Sequence, residues 1–491
     1  MLSIVLHYFH GRGFVLSRLC WCGLILSIVC YWEGVGAEEN ATGRGEDESV
    51  MSLTLEEAIN LALEANRNLL ISTSNLESQT LFLTSAQSEF ELKFAPSVTG
   101  DASDDYKSIG SEISLDKKLK MGPRATLTPG IAISDVGDKY SGRTALSLEM
   151  PLLRDFGREV TLDSVRSSEF SVRTAERSLY FTRVNTVLDT VFGVYDIIKQ
   201  RELVELYDSQ VKRLNGHAET AKIKEKVGLA TPIDIYRAEI RLKDAEDSLT
   251  QAREALSSSE DALKLILAMP LDTSIAVTAP VEYDPINVNI DDAVEIAHNN
   301  RVELEGQRDQ IREVERRSRV YKHRLLPQLN VVMNYEKYGT SDDFSESTRL
   351  DEDRWSINLV STTDWARTAE KAAFRQSLLD IKTARLDLEA RRDEITREVR
   401  RQLEALRKSR ERIEIRSEKI KQAKGKLALA KIKFNYGMAN NFDVIEAETE
   451  LQQAQVDLLS TEVEYIVGTY NLRAVLGTLI ERGGDPVFNA S

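Results

Sequence analysis

The residues able to do chemistry are few, and they stand far apart. His217, His298 and His323 are the histidines that follow the first 37 residues, each isolated on a charged helical stretch. No HExxH pair, Walker-type loop or GxSxG elbow accompanies them, so the sequence implies no enzyme, and neither a cofactor nor a metal site is expected. The cysteines are Cys20, Cys22 and Cys30, which leaves the chain after residue 37 with no thiol for a disulfide, a zinc site or a nucleophile. The acids that stand out are Asp234, Asp443 and Glu446, each a few residues after a glycine in a long helical pattern. Asp443 and Glu446 are three apart on one helix face, where paired carboxylates attract cations and repel each other unless some are protonated. The same acids also suit helix starts. Thr231, Pro232 and Asp234 read as an N-cap, a first-turn proline and a capping box, and Asn440 or Asn441 as a cap with Asp443 near the positive helix end.

What positions those acids is a duplication. Sliding the chain by 209 residues lays AKIKEKVGLATPIDIYRAEIRL, from Ala221, on AKIKFNYGMANNFDVIEAETEL, from Ala430, with ten identities in 22. Lys222, Gly228, Ala230, Asp234 and Glu239 thereby fall on Lys431, Gly437, Ala439, Asp443 and Glu448. Heptads stay in phase beyond the match, with Leu242, Leu249, Leu256 and Leu263 against Leu451, Leu458, Tyr465 and Leu472, so both copies read as coiled-coil seams turning at a glycine. No proline interrupts residues 160–227 or 367–436, and at about 1.5 Å per residue each helix would be on the order of 100 Å long. The helical hairpins are predicted over 160–267 and 367–476.

Composition agrees with long helices and solvated faces: 491 residues contain only 10 prolines, and 29% are charged. A net charge of −15 argues against a nucleic-acid partner. Residues 1–37 read as a secretory signal peptide, with Arg12 and Arg18 ahead of an apolar run from Leu19 to Trp32 and small residues Val35-Gly36-Ala37 before Glu38. Cys30 as a lipidated residue is the weaker alternative, since Val29 is bulky for such a cleavage site. Residues 38–52 suit a flexible leader. No later stretch has 18 consecutive apolar residues, so entry into a membrane would have to be by strands.

The first structural repeat spans 53–269 and the second 288–479, joined by a linker at 270–287 and followed by a tail at 480–491. Each opens on a helix, with Leu55, Ala58, Ile59 and Ala62 matching Ile290, Ala293, Val294 and Ala297, and each helix is expected to run to Pro96 or Pro327. The apolar period then becomes two, predicting strands near 97–104 and 143–150 in the first repeat and near 328–336 and 355–360 in the second. The exits Asp155-Phe156-Gly157-Arg158 and Asp364-Trp365-Ala366-Arg367 keep the 209 register, whereas Pro96 and Pro327 are 231 apart. The first repeat thus carries 22 extra residues, read as an added hairpin near 112–134 in the loop between its strands, turning at Met121-Gly122-Pro123. An acidic loop, 337–354, is expected between the strands of the second repeat.

This order of helix, strand pair and long helical hairpin, repeated once, resembles the outer-membrane efflux proteins, the TolC-type channels. The resemblance covers residues 53–479 and is most specific at LTLEEAINLALEAN, MPLLRDFGR and the paired turns GLATPIDIYRAE and GMANNFDVIEAE. It implies a mainly α fold with β, in which a homotrimer forms a 12-stranded β-barrel in outer-membrane lipid, continued by a periplasmic α-helical barrel. It further implies an exit duct for efflux or type I secretion, working with a periplasmic adaptor and an inner-membrane transporter. The adaptor would dock at the turns Gly228, Leu229, Ala230, Gly437, Met438 and Ala439. The pore would narrow at Asp443 and Glu446, with Asp234 and Phe434 as further candidates, although Phe434 and Tyr436 equally suit packing between helices. The competing expectation is an exported coiled-coil adaptor or structural protein that bridges membranes without conducting.

Overall fold

The computed structural model describes residues 51–102, 107–134, 139–228, 230–281 and 288–480. The expected signal peptide, Cys30, residues 38–50 of the leader and the tail after residue 480 lie outside the described residues. In the first repeat the chain forms β1 (Met51–Thr54), α1 (Leu55–Ala65), α2 (Arg67–Ser88), β2 (Leu92–Ala102), β3 (Lys107–Lys118), β4 (Arg124–Ser134), β5 (Lys139–Pro151), α3 (Arg158–Thr161), α4 (Asp163–Lys226) and α5 (Pro232–Ile266). The second gives β6 (Ile275–Thr278), α6 (Ile290–Asn300), α7 (Val302–His323), β7 (Asn330–Ser341), α8 (Phe344–Ser347), β8 (Glu352–Val360), α9 (Thr368–Asn435) and α10 (Asn441–Leu476). The protein is mainly helical, and its long helices, α4 and α9, have 64 and 68 residues.

The opening helix of each repeat is two helices rather than one. Asn66 caps α2 by accepting from the N–H groups of Asn68 and Leu69, while its own amide donates to the carbonyl of Ile266 at the end of α5. In the second repeat Arg301 stands between α6 and α7 and donates to the carbonyl of Val475 at the end of α10. A break in the helix therefore ties each repeat's start to its return helix. Thr54 and Glu57 close a capping box before α1, whose Leu55, Ala58, Ile59 and Ala62 face is buried against Val187, Val191, Val194 and Leu263. A matching core in the second repeat joins Ala293, Ala297, Ile395, Val399, Tyr465 and Leu472.

Two stretches expected to be irregular pair with each other. Met51–Thr54, where the leader was expected to end, lies parallel to Ile275–Thr278, inside the expected linker. Burial of Leu53, Ile275 and Val277 explains the pairing.

The main sheet holds six antiparallel strands in the order β2-β3-β4-β5-β7-β8. Four strands per chain were expected, with the added hairpin in a loop. Instead, β3 and β4 sit inside the sheet, between β2 and β5, and match their length. Pro96 does not precede the first strand but lies within it, which β2 tolerates as an edge strand, and helices α2 and α7 stop at Ser88 and His323, before the prolines. Strand β7 runs on to Ser341, so the acidic loop is shorter than expected and folds into α8. There Gly142 and Gly339 admit the loop backbone: a Cβ at either would come within 2.6 or 2.7 Å of the Ser347 carbonyl oxygen.

Register aligns one apolar face across all six strands. Leu92, Phe94 and Val98 continue into Ile109, Ile113 and Leu115, then Leu127, Ile131 and Ile133, then Leu146 and Leu148, then Met333 and Tyr335, and finally Trp355, Ile357 and Leu359. Most of these are uncovered, Val98 being 77% and Trp355 71% exposed. The opposite face alternates in Ser97, Thr99, Asp101, Glu112, Asp116, Thr126, Thr128, Ser147, Asn334, Glu336 and Asn358.

Candidate gate at the hairpin turns

Each long helix ends in a glycine held in the left-handed region, Gly228 at φ +76° and Gly437 at φ +70°. The helix then restarts on a capping box. Asp234 accepts from the Thr231 N–H at 2.9 Å and the Thr231 hydroxyl at 2.7 Å, and those bonds hold its carboxyl below the usual carboxylate value. Asn440 accepts from the Asp443 N–H at 2.9 Å, and Asp443 accepts from the Asn440 N–H at 2.8 Å. Asp234 and Asp443 thus both perform the helix-start role, and Asn440 rather than Asn441 is the cap. Glu446 is exposed one turn further along α10, beside the Lys426 ammonium of α9. Phe434 packs between the hairpins, with the Lys224 Nζ 3.6 Å from its ring centre, while Tyr436 is 77% exposed. Val227 and Met438 are also exposed at the turns; Leu229 lies outside the described residues.

The two hairpins meet along α4 and α10. Ile445 of α10 is buried against Leu214, Ala218 and Ala221 of α4. Beside this apolar contact sits a polar joint that the histidine reading missed. His217 is not isolated: its Nε2 is 3.1 Å from Glu448 Oε2 and its Nδ1 is 3.0 Å from Asn441 Oδ1. Asn441 returns a bond from Nδ2 to the His217 carbonyl. Both ring nitrogens face acceptors, so the ring donates to both only as imidazolium. Lys431 Nζ lies 3.1 Å from the other Glu448 oxygen, and Arg213 donates to Gln452.

Glu448 is nearly buried, at 5% side-chain exposure. Burial pushes its carboxyl up, but hydrogen bonds from His217 and Lys431, with their positive charge, outweigh that and leave it below the ordinary value. The remaining histidines also have partners, His298 at the Thr396 hydroxyl and His323 at the Leu153 carbonyl. The signal for the joint was present in the duplication. Lys222 and Glu239, at 3.2 Å, repeat the Lys431 and Glu448 pair, but Glu239 is 42% exposed where Glu448 is 5% exposed. Among the described residues no cluster of His, Cys, Asp or Glu is arranged to hold a metal ion. The arrangement ties the start of α10 to α4 and α9.

Comparison with known proteins places this architecture. Residues 293–478 match the family described as Outer membrane efflux protein. The outer membrane protein TolC of Vibrio cholerae is 22% identical over 371 residues, covering 73% of this chain and 83% of that protein. The outer membrane efflux protein BepC of Brucella suis is 21% identical over 361 residues, covering 70% and 73%. The fold is also that of the Campylobacter jejuni CmeC outer membrane channel, with a TM-score of 0.68 at 15% identity over 89% of this chain and 87% of that one. The fold is that of a TolC-like channel, a helical shaft carrying a β domain. In this fold, and over residues 293–478, the chain is similar to the outer membrane efflux proteins.

Proposed function

We propose that the protein is the outer-membrane exit duct of an efflux system, passing solutes from the periplasm to the exterior without chemistry of its own. The observation that carries this reading is the two-faced sheet. A sheet with one side predominantly apolar and largely exposed, the other polar, and two open edges has the character of the wall of a water-filled barrel before closure. Strands of 11 residues, tilted as in such barrels, rise about 25 Å, the height of the apolar band of an outer membrane.

One chain cannot close that wall, so we read the assembly as a homotrimer. The duplication supports this. Ile445 of α10, only 2% exposed where it packs against α4, has Tyr236 as its repeat mate on α5, and Tyr236 is 64% exposed, flanked by exposed Ile233 and Ile240. The repeat mate of α4 is α9, so α9 of a second copy is the cover that completes the pattern, a head-to-tail contact of the kind that closes rings. Exposed Val227, Tyr436 and Met438 at the turns suit docking of a periplasmic adaptor linked to an inner-membrane transporter.

At the periplasmic end, three copies would bring Asp443 and Glu446 around the bore, where fixed carboxylates select cations. Single-channel conductance of the purified protein in a planar bilayer tests both ideas. The expected result is a cation-selective conductance that rises or loses selectivity in the Asp443→Ala, Glu446→Ala double variant. A conductance untouched by the substitutions returns both acids to the helix start and a surface role. Folded protein that never conducts overturns the channel.

A further inference from the structure

We infer that the inserted hairpin β3-β4 is part of the membrane wall, so that three copies close an eighteen-stranded barrel rather than a twelve-stranded one. This rests on the channel reading above and fixes the size of its outer mouth.

Four observations converge. First, β3 and β4 occupy the middle of the sheet: β3 is paired with β2 along 11 residues of register and β4 with β5 along another 11, so neither strand can leave without unzipping its neighbour. Second, they are as long as the rest, 12 and 11 residues against 11 in β2 and 13 in β5. They therefore cross the full height of the wall, and their turn returns to the helical end. There the Gly157 N–H donates to the Met121 carbonyl at 2.9 Å, and a Cβ on Gly122 would strike the Asp155 carbonyl oxygen at 2.7 Å.

Third, they carry the same alternation as the other strands. Ile109, Ile113, Leu115, Leu127, Ile131 and Ile133 lie on the apolar face, with Glu112, Ser114, Asp116, Thr126 and Thr128 behind them. A hairpin held in water would have no use for that apolar face, since each exposed aliphatic side chain forgoes roughly 1.5–3 kcal/mol of burial. Fourth, strand direction permits closure. β2 runs away from the helices and β8 runs back toward them, so β8 of one copy meets β2 of the next antiparallel, and eighteen is an even number as such barrels require.

The consequence is a wide exit. At a strand spacing of about 4.8 Å and a tilt near 40°, twelve strands give a backbone diameter of about 24 Å and eighteen about 36 Å. The α8 loop does not narrow it, because Gly142, Gly339 and Tyr140 receive that loop on the apolar, outward face. Discrimination between solutes then falls to the helical end.

Site-directed fluorescence quenching tests the assignment. Single cysteines are placed at Ile113 and Ile131 on the apolar face of the hairpin, at Ser114 and Thr128 on the polar face, and at Ile357 of β8, in a background lacking Cys20, Cys22 and Cys30. Each variant is labelled with a small fluorophore and reconstituted in phosphatidylcholine vesicles with or without brominated acyl chains. The expected result is loss of emission at Ile113→Cys and Ile131→Cys equal to that at Ile357→Cys, with Ser114→Cys and Thr128→Cys unquenched. Quenching at Ile357→Cys but at neither hairpin position would overturn the eighteen-stranded wall and leave the channel standing. No quenching at Ile357→Cys either would overturn both.

Discussion

Removing the Glu448 carboxylate is expected to loosen the start of α10 from α4 far more than removal of any exposed acid. Glu448 is almost wholly covered and accepts from His217 and Lys431 at 3.1 Å each. A hydrogen bond to a charged group contributes about 1.5–3 kcal/mol, and the Lys431 contact, half open to water, adds at most about 1 kcal/mol. Glu448→Ala should therefore cost about 2–3 kcal/mol locally, and at tenfold per 1.4 kcal/mol the amides of residues 444–452 should exchange with deuterium about 30- to 140-fold faster. Glu411, paired with Arg407 on the open face of α9, supplies the comparison, where loss of an exposed ion pair should change exchange by about twofold or less. The double variant His217→Ala, Glu448→Ala should fall short of the sum of the singles, since both remove one bond. Exchange in these segments no faster in Glu448→Ala than in Glu411→Ala would refute this role of the buried carboxylate.

Two further outcomes follow from the same geometry. The Glu448 carboxyl titrates below its ordinary value of 4.5, so its contribution is complete above pH 4.5 and is lost as pH falls through the lowered value; exchange at residues 444–452, corrected for intrinsic rates, should rise in acid in the wild type and be flatter in Glu448→Gln. Tyr236→Arg puts a charge where the repeat pattern demands an apolar contact, so the three-copy assembly expected by mass measurement in detergent should fall apart while helix content by circular dichroism is kept.

Much of this architecture is legible in the sequence because its strongest signals are local and occur twice. The glycines at the turns, the capping residues behind them and the heptads that follow need no knowledge of distant contacts, and the 209-residue shift ties the two copies together. The period-two pattern of the inserted hairpin is visible too, yet its place in the sheet is not. Which strand lies beside which is decided by pairing across the whole sheet, and a 22-residue excess over the second repeat reads naturally as a loop. His217 was missed for a related reason. Its partners Asn441 and Glu448 are 224 and 231 residues away, and nothing in the charged stretch around it marks the face that α10 covers. The pairing of β1 with β6 is as remote, and four residues are too short for a pattern to declare itself.

The inserted hairpin also says something about how such a chain changes over time. A hairpin leaves from and returns to the same rim of the sheet, so adding one reverses the direction of no later strand and shifts no downstream side chain to the wrong face. The exits at Asp155 and Asp364, both beyond the insertion, accordingly lead into helical hairpins that match residue for residue at a spacing of 209. Sheet width and shaft length are thus separable traits in this architecture: the sheet grows in pairs of strands, and the hairpins below keep their register untouched.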